Sequence, residues 1–312
     1  MKKSIIAAAV AAAVAAPAAN AGVTIYGKVH VSIDHYDYDD CCNSSLDFSE
    51  WRVKSRASRI GFKGTEDLGN GLSLTWKAET TYDFADGSAW DPGRNAYIGL
   101  AGDWGTFLYG MHDTPYKMSY YAGGIEMMGD TALDFGEHVS ALDLSRVRAA
   151  NAIAYVSPNM NGLTLAAAIV PGEGDNFDKG TGLADAVSVS GMYSNNGLKL
   201  AAGYEDLGDG DDKFLVTAGY TMNNVTVAGL YQDYEDDKTA LLSVGVAMGN
   251  NNFVVKYGQT GWRDGYPTST VWGIGAEHKL SKRSTAYIGY ATSEDMYDDG
   301  RSTFSAGMIH NF

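Results

Sequence analysis

Long stretches of this chain alternate apolar and polar residues with a period of two. In residues 23–34 the odd positions are Val23, Ile25, Gly27, Val29, Val31 and Ile33, and the even ones Thr24, Tyr26, Lys28, His30, Ser32 and Asp34. Leu72, Leu74, Trp76 and Ala78 alternate with Ser73, Thr75, Lys77 and Glu79. Leu198, Leu200, Ala202 and Tyr204 alternate with Lys199, Ala201, Gly203 and Glu205, and Val225, Val227, Gly229 and Tyr231 with Thr226, Ala228, Leu230 and Gln232. At the C-terminus Phe304, Ala306, Met308, His310 and Phe312 share one face, with Thr303, Ser305, Gly307, Ile309 and Asn311 on the other. Successive strand side chains point to opposite faces, so each stretch is a strand with one apolar face. A terminal strand frays unless something pairs with it. Closing a barrel against the first strand supplies that partner and removes both edges.

The connections are of two kinds. Asn70-Gly71, Asn161-Gly162 and Asn196-Gly197 each lead into a strand and are hairpin dipeptides, because both residues tolerate positive φ. Asn223-Asn224, residues 249–252 and Ser281-Lys282-Arg283 mark three more short turns. Between them lie eight longer loops, at residues 39–48, 85–92, 111–145, 171–184, 206–212, 235–238, 261–268 and 294–300. Eight long loops imply sixteen strands. The expected fold is all-β, a 16-stranded antiparallel transmembrane barrel wide enough for an aqueous channel.

The N-terminus fits export. Met1-Lys2-Lys3 is positive, an apolar stretch of about 15 residues follows, and Ala19-Asn20-Ala21 is an A-x-A cleavage pattern. That stretch is shorter than the ~20 residues a membrane helix needs. Residues 1–21 therefore read as a signal peptide and residues 22–312 as the barrel. Beyond residue 21 no apolar run is long enough for a transmembrane helix, and a membrane protein without such helices must be a closed barrel. A soluble β-sandwich or β-helix would have a similar composition, 38 Gly, 20 Tyr and 6 Pro.

Several blocks resemble the general porins of Gram-negative bacteria. They are Val23-Thr24-Ile25-Tyr26-Gly27-Lys28; Ser58-Arg59-Ile60-Gly61-Phe62-Lys63-Gly64-Thr65-Glu66-Asp67-Leu68-Gly69-Asn70-Gly71-Leu72; Arg94-Asn95-Ala96-Tyr97-Ile98-Gly99-Leu100; and Trp104-Gly105-Thr106-Phe107-Leu108-Tyr109-Gly110. The terminal Phe312, with His310 two places before it, resembles the signal read by the outer-membrane barrel-assembly machinery. The resemblance implies an outer-membrane location in contact with lipid and lipopolysaccharide. It also implies a homotrimer of passive pores for small hydrophilic solutes, with the apolar strand faces toward lipid. It further implies that the third outer loop, about 111–145, folds inward as a constriction. That loop carries Glu126, Asp130, Asp134 and Glu137, and the facing wall would be basic through Lys28, Arg59, Arg94, Arg146 and Arg148. Acids facing bases would set a field across the narrowest point and favour polar solutes. The alternative is that these charges only pin the loop through ion pairs.

One segment breaks the register. With Arg59, Gly61 and Lys63 inward, counting backward puts Arg52, Lys54 and Arg56 on the lipid side. Either a bulge near Ala57 resets the pattern or these residues lie above the membrane. The second reading is preferred, with Trp51 at the interface.

Acids crowd the long-loop end. They include Asp37, Asp39 and Asp40, then Glu205, Asp206, Asp209, Asp211 and Asp212, then Asp233 and Glu235–Asp237, and finally Glu294, Asp295, Asp298 and Asp299. They are either solvated loops or sites where divalent cations bridge to lipid phosphates; no other cofactor is expected. The net charge of −15 becomes −17 once Lys2 and Lys3 leave, which predicts mild cation selectivity and disfavours nucleic acid. Cys41-Cys42 are adjacent in the first outer loop, and a vicinal disulfide, free thiols and bonds to another chain all stay open. No G-x-S-x-G, H-E-x-x-H or P-loop occurs, and Gly273-Ile274-Gly275 lies in a strand without a third glycine. Two rivals remain beside a general pore: a solute-selective channel, and a surface adhesin or receptor built on the outer loops.

Overall fold

The computed structural model describes residues 22–39, 45, 47–91, 93–135, 144, 146–173, 181–208, 212–234, 237–261, 269–294 and 300–312. The proposed signal peptide, Cys41, Cys42 and Glu137 lie outside these residues, as do Asp40, Asp209, Asp211, Glu235, Asp236, Asp295, Asp298 and Asp299. Among them run β1 (Thr24–Asp39), β2 (Phe48–Ser55), β3 (Arg59–Gly69), β4 (Leu72–Tyr82), β5 (Ala89–Asp91), β6 (Ala96–Gly102) and β7 (Gly105–Asp113). Helix α1 (Pro115–Ala122) follows, then β8 (Arg148–Val156), β9 (Leu163–Val170), β10 (Ala186–Asn195), β11 (Leu198–Asp206) and β12 (Asp212–Met222). The last are β13 (Val225–Tyr234), β14 (Asp237–Met248), β15 (Asn251–Gly261), β16 (Ser269–Lys279), β17 (Ser284–Glu294) and β18 (Gly300–Asn311). β2 continues into β3 and β5 into β6, so these segments build sixteen antiparallel wall strands.

The wall closes where the ends of the chain meet. β1 pairs with β18 from Lys28↔Asn311 to Asp39↔Gly300. One step further, Gly27 and Phe312 exchange both backbone hydrogen bonds, at 3.0 and 3.1 Å. The Phe312 ring lies over Gly27, where a Cβ would fall 2.3 Å from the ring. A glycine strand position is thus covered by an aromatic across the seam.

The face assignment follows from exposure. Ile33, Val53, Leu200, Ile274, Ile288 and Met308 are exposed apolar residues, whereas Ser32, Asp34, Thr217, Gln232, Lys256 and Ser305 are buried on the opposite face. Apolar residues therefore point outward and polar ones into the lumen. Among the described residues no helix is long and apolar enough to cross a membrane; the strands do so. The short turns use the expected chemistry, with Asn70, Asn161, Asn196 and Asn223 at φ of 54°, 56°, 49° and 55°. Asp103-Trp104, between β6 and β7, is a further short turn that the sequence pattern did not single out.

The register problem resolves as a bulge, where the sequence had favoured residues above the membrane. Val31 pairs with Ser55 but Lys28 with Arg59, so β2–β3 holds one extra residue. Ala57 sits there at φ 46°. The bulge turns Arg52, Lys54 and Arg56 toward the lumen, since they share a side with their partners on β1. Arg56 is fully buried, with its guanidinium 2.6 Å from Asp34 and 2.8 Å from the Ser32 hydroxyl. Trp51 points outward and meets Phe304 across the seam.

Deleting Phe312, or replacing it by Asp, should sharply lower the yield of assembled barrel, read as heat-modifiable mobility of the outer-membrane fraction. Full-rate assembly of the deletion would show that the seam needs no terminal side chain.

Candidate functional site

The connection between β7 and β8 turns inward. Thr114 caps α1 by accepting from the Lys117 amide, and Pro115 occupies the first turn, where its missing N–H costs nothing. Gly123-Gly124 ends the helix, with Gly124 at φ 78°. The helix lies against the inner face of β10, β11 and β12. The Tyr116 amide donates to the Ser188 hydroxyl at 3.0 Å and its phenol to Gln232 at 2.9 Å. Thr217 donates to the Ser119 carbonyl and Ser243 to that of Ile125.

Wall glycines make room for this path. A Cβ on Gly219 would lie 2.2 Å from the Gly123 carbonyl oxygen, and one on Gly203 would lie 2.3 Å from the Ser119 hydroxyl. Beyond the helix, Ile125, Met128, Leu133 and Phe135 pack on Leu215, Leu230, Leu241, Val254 and Val271 of the inner wall. Full burial of a residue such as Ile125, Leu133 or Phe135 is worth roughly 1.5–3 kcal/mol. The loop is held by a dry core inside the barrel.

Its charges are bound in pairs. Glu126 lies 3.2 Å from Lys256 of β15 and 3.6 Å from Arg146, and accepts from the Tyr120 phenol. Asp134 takes Arg146 at 2.8 Å, and Lys256 also donates to the Leu133 carbonyl at 2.7 Å. Burial, and then the Asp134 charge, raise the Glu126 pKa above its ordinary value, although Lys256 and Arg146 oppose them. Asp130, at φ 60°, reaches Lys28 of β1 at 2.6 Å. Burial alone would raise the Asp130 pKa, but the Lys28 ammonium outweighs it and holds the carboxyl at about 2.

Of the residues expected on the basic wall, Lys28, Arg59, Arg94 and Arg148 do lie there, on β1, on β3, just before β6 and at the start of β8. Arg146 does not: it precedes β8 and clamps Glu126 and Asp134 from the loop's own return. Glu126 and Asp134 are buried in that clamp, Glu126 also reaching Lys256 of β15, and among the described loop acids it is Asp130 that crosses to the wall at β1. Sequence reasoning missed Lys77, Glu79, Asp113, Lys117 and Lys256. Glu79 takes Arg59 at 3.1 Å and Lys77 at 2.5 Å; Asp113 takes Lys117 at 3.0 Å and Arg148 at 3.1 Å. Inward strand parity was the available signal for Lys77, Glu79 and Lys256; Lys117 lies on α1, and nothing local marked it or Asp113. Arg94 is held by a bond to the Thr81 hydroxyl at 3.1 Å. Between loop and wall lies a polar cavity of about 650 Å³, lined by these groups. Among the described residues no cluster could hold a metal ion.

A sequence profile described as Gram-negative porin matches residues 7–297. The chain belongs to the Gram-negative porin family. An outer membrane porin of Bordetella pertussis is 25% identical over the whole of both chains. Outer membrane porin protein 32 of Delftia acidovorans is 30% identical over 74% of this chain and 69% of its own. The solved anion-selective porin from Comamonas acidovorans superposes with a TM-score of 0.79 at 19% identity, covering 94% of this porin and all of that chain. This outer-membrane porin shares the closed barrel of that solved structure.

Two predictions follow from the loop. Gly219→Val should push α1 off the wall and speed amide exchange through residues 116–125; unchanged exchange would mean the glycine contact holds nothing. Because the folded Asp130 pKa lies below its ordinary 3.8, the Lys28 tether is intact above about 4 and lost as pH falls through about 2. Loop exchange should rise across that window, and Asp130→Asn should show the acid behaviour at neutral pH.

Proposed function

We propose that this porin is a water-filled channel for passive diffusion of small hydrophilic solutes and ions, narrowed by the loop between β7 and β8. The observation that carries this is the polar cavity left between loop and wall, set in a barrel of sixteen strands. Fixed charges on its two sides let polar solutes replace water in the field, while greasy ones lose by displacing it. The family resemblance supports a homotrimer, contact with lipopolysaccharide, delivery by the barrel-assembly machinery, and removal of residues 1–21 as a signal peptide.

The ion preference has two opposed sources. The net charge of −15 favours cations at the mouth. At the cavity Arg59, Lys77, Arg94, Lys117, Arg146 and Arg148 face Glu79, Asp113, Glu126, Asp130 and Asp134, and Lys28 and Lys256 add two further bases to those acids. Charges more than a Debye length of about 8 Å away are largely screened, so those at the narrow point weigh most. This supports anion preference over the cation preference expected from net charge, and the Comamonas neighbour is described as anion-selective.

Purified protein in planar bilayers should conduct in steps of three, with a reversal potential in a KCl gradient on the chloride side. No conductance would sink the channel reading, and a clear potassium preference would return the weight to the mouth.

A further inference from the structure

The short turns of the barrel differ in charge. Asn70-Gly71, Asn161-Gly162, Asn196-Gly197, Asn223-Asn224 and Gly249-Asn250 have no ionisable side chain, and the β6–β7 turn holds Asp103. The turn between β16 and β17 is basic, with Lys279, Lys282 and Arg283 all exposed. Among the described residues none of the three has an ion-pair partner. On a chain of net charge −15 they are a concentrated, uncompensated patch. The turn is held in one shape. The Leu280 and Ser281 amides donate to the Ser284 carbonyl, and the Arg283 and Ser284 amides donate to the Ser281 hydroxyl. The Asn311 amide of β18 donates to the Arg283 carbonyl at 2.9 Å. The end of the chain is engaged on the other side, where a Phe312 terminal oxygen accepts from the Gly27 amide. On the outer face next to this turn Leu280, Ile274, Ile288 and Met308 are exposed. His278 and His310 are exposed on the same face, on β16 and β18, two strand spacings or about 10 Å apart. Between them β17 offers only Ala286 and Ser284. Asn251 bonds His278 at 2.7 Å, and the Ser284 hydroxyl bonds His310 at 2.9 Å. An apolar wall thus ends in a polar edge with bare bases just beyond it.

We propose that the β16–β17 turn binds the headgroup of an acidic phospholipid in the inner leaflet of the membrane around the barrel. The short turns of outer-membrane barrels face the periplasm. This edge therefore meets inner-leaflet headgroups and lies a membrane's thickness away from lipopolysaccharide. Lys and Arg clustered at a membrane surface attract anionic lipid, and a guanidinium matches the phosphate with paired N–H donors. Lys282 and Arg283 take the phosphate, and the acyl chains run along Leu280, Ile288 and Ile274. Lys279 continues the inward parity of Val271 and Gly275, so it adds field from the lumen rim and no contact. A zwitterionic lipid has the same phosphate but brings its own cation, which the bare bases repel. The inference rests on the orientation of the barrel in the outer membrane and is independent of what the channel passes.

The test is native mass spectrometry of the purified porin in detergent, with phosphatidylglycerol or phosphatidylcholine of identical chains added. Phosphatidylglycerol should be retained and phosphatidylcholine lost at the same concentration. Lys282→Gln should weaken retention about fivefold and the K282Q/R283Q pair about twenty-five-fold. Lys282→Arg should retain the lipid as the parent does. Lys238→Gln removes the same charge from an exposed position at the long-loop end of β14 and should change nothing. Heat-modifiable mobility and KCl conductance of the double variant should match the parent, so that lost lipid is not lost fold. Equal retention of the two lipids overturns the site. So does unchanged retention in the double variant, or a loss in Lys238→Gln equal to that in Lys282→Gln.

Discussion

A backbone amide facing hydrocarbon has no water to bond with, so every strand of this chain must have two partners. That constraint carries the rest of the structure. It makes the seam between β1 and β18 obligatory and gives Phe312 and Gly27 their paired position. It imposes strict alternation, because each wall residue must choose between lipid and lumen. It also explains why a single extra residue matters so much. At Ala57 one insertion flips Arg52, Lys54 and Arg56 from lipid to lumen and places a buried Arg56–Asp34 pair where a charge would otherwise face hydrocarbon.

Once the wall is closed, its interior can be built separately. The loop after β7 brings its own hydrophobic cluster into a space whose default lining is polar, and one stretch of wall is altered to receive it. From β12 to β16 the inner face carries Leu215, Leu230, Leu241, Val254 and Val271, and the glycines alongside let the loop backbone approach. The opposite arc, from β1 to β6, keeps its charges. The barrel therefore has a dry half that anchors and a wet half that conducts, and the ion pairs Lys28–Asp130 and Lys256–Glu126 join the loop to each.

Much of this was legible in the sequence. The alternation, the Asn-Gly turns and the eight long loops place sixteen strands, because all three signals are local; the outward direction of the apolar faces came from the export signal and the porin resemblance. The dry half was legible in principle. Leu215-Val216, Leu241-Leu242 and Val254-Val255 are apolar at both parities, which marks a strand covered on both sides. The partners of the loop charges were not legible. Glu126 meets Lys256 across 130 residues of chain, and only the path of the loop through the lumen decides that Arg146 clamps it instead of facing it from the wall. The bulge was half-legible: the register conflict revealed that something happens near Ala57, but both candidate explanations satisfied the same residues.

The same separation of scales governs charge. Many of the acids counted in the composition sit at the long-loop ends of strands, such as Asp37 and Asp39 of β1 and Asp233 of β13. There, water and salt screen them within about a nanometre. The bases sit where loop and wall approach, between low-dielectric surfaces that focus the field. Most of them are tied to acids, and that pairing is what lets them be there at all, since an unpaired buried charge is costly. A passing ion therefore meets not a sum over the chain but the residue left after pairing. Along the β1–β4 wall, that residue is the set of bases that Glu79 and Asp130 do not fully neutralise.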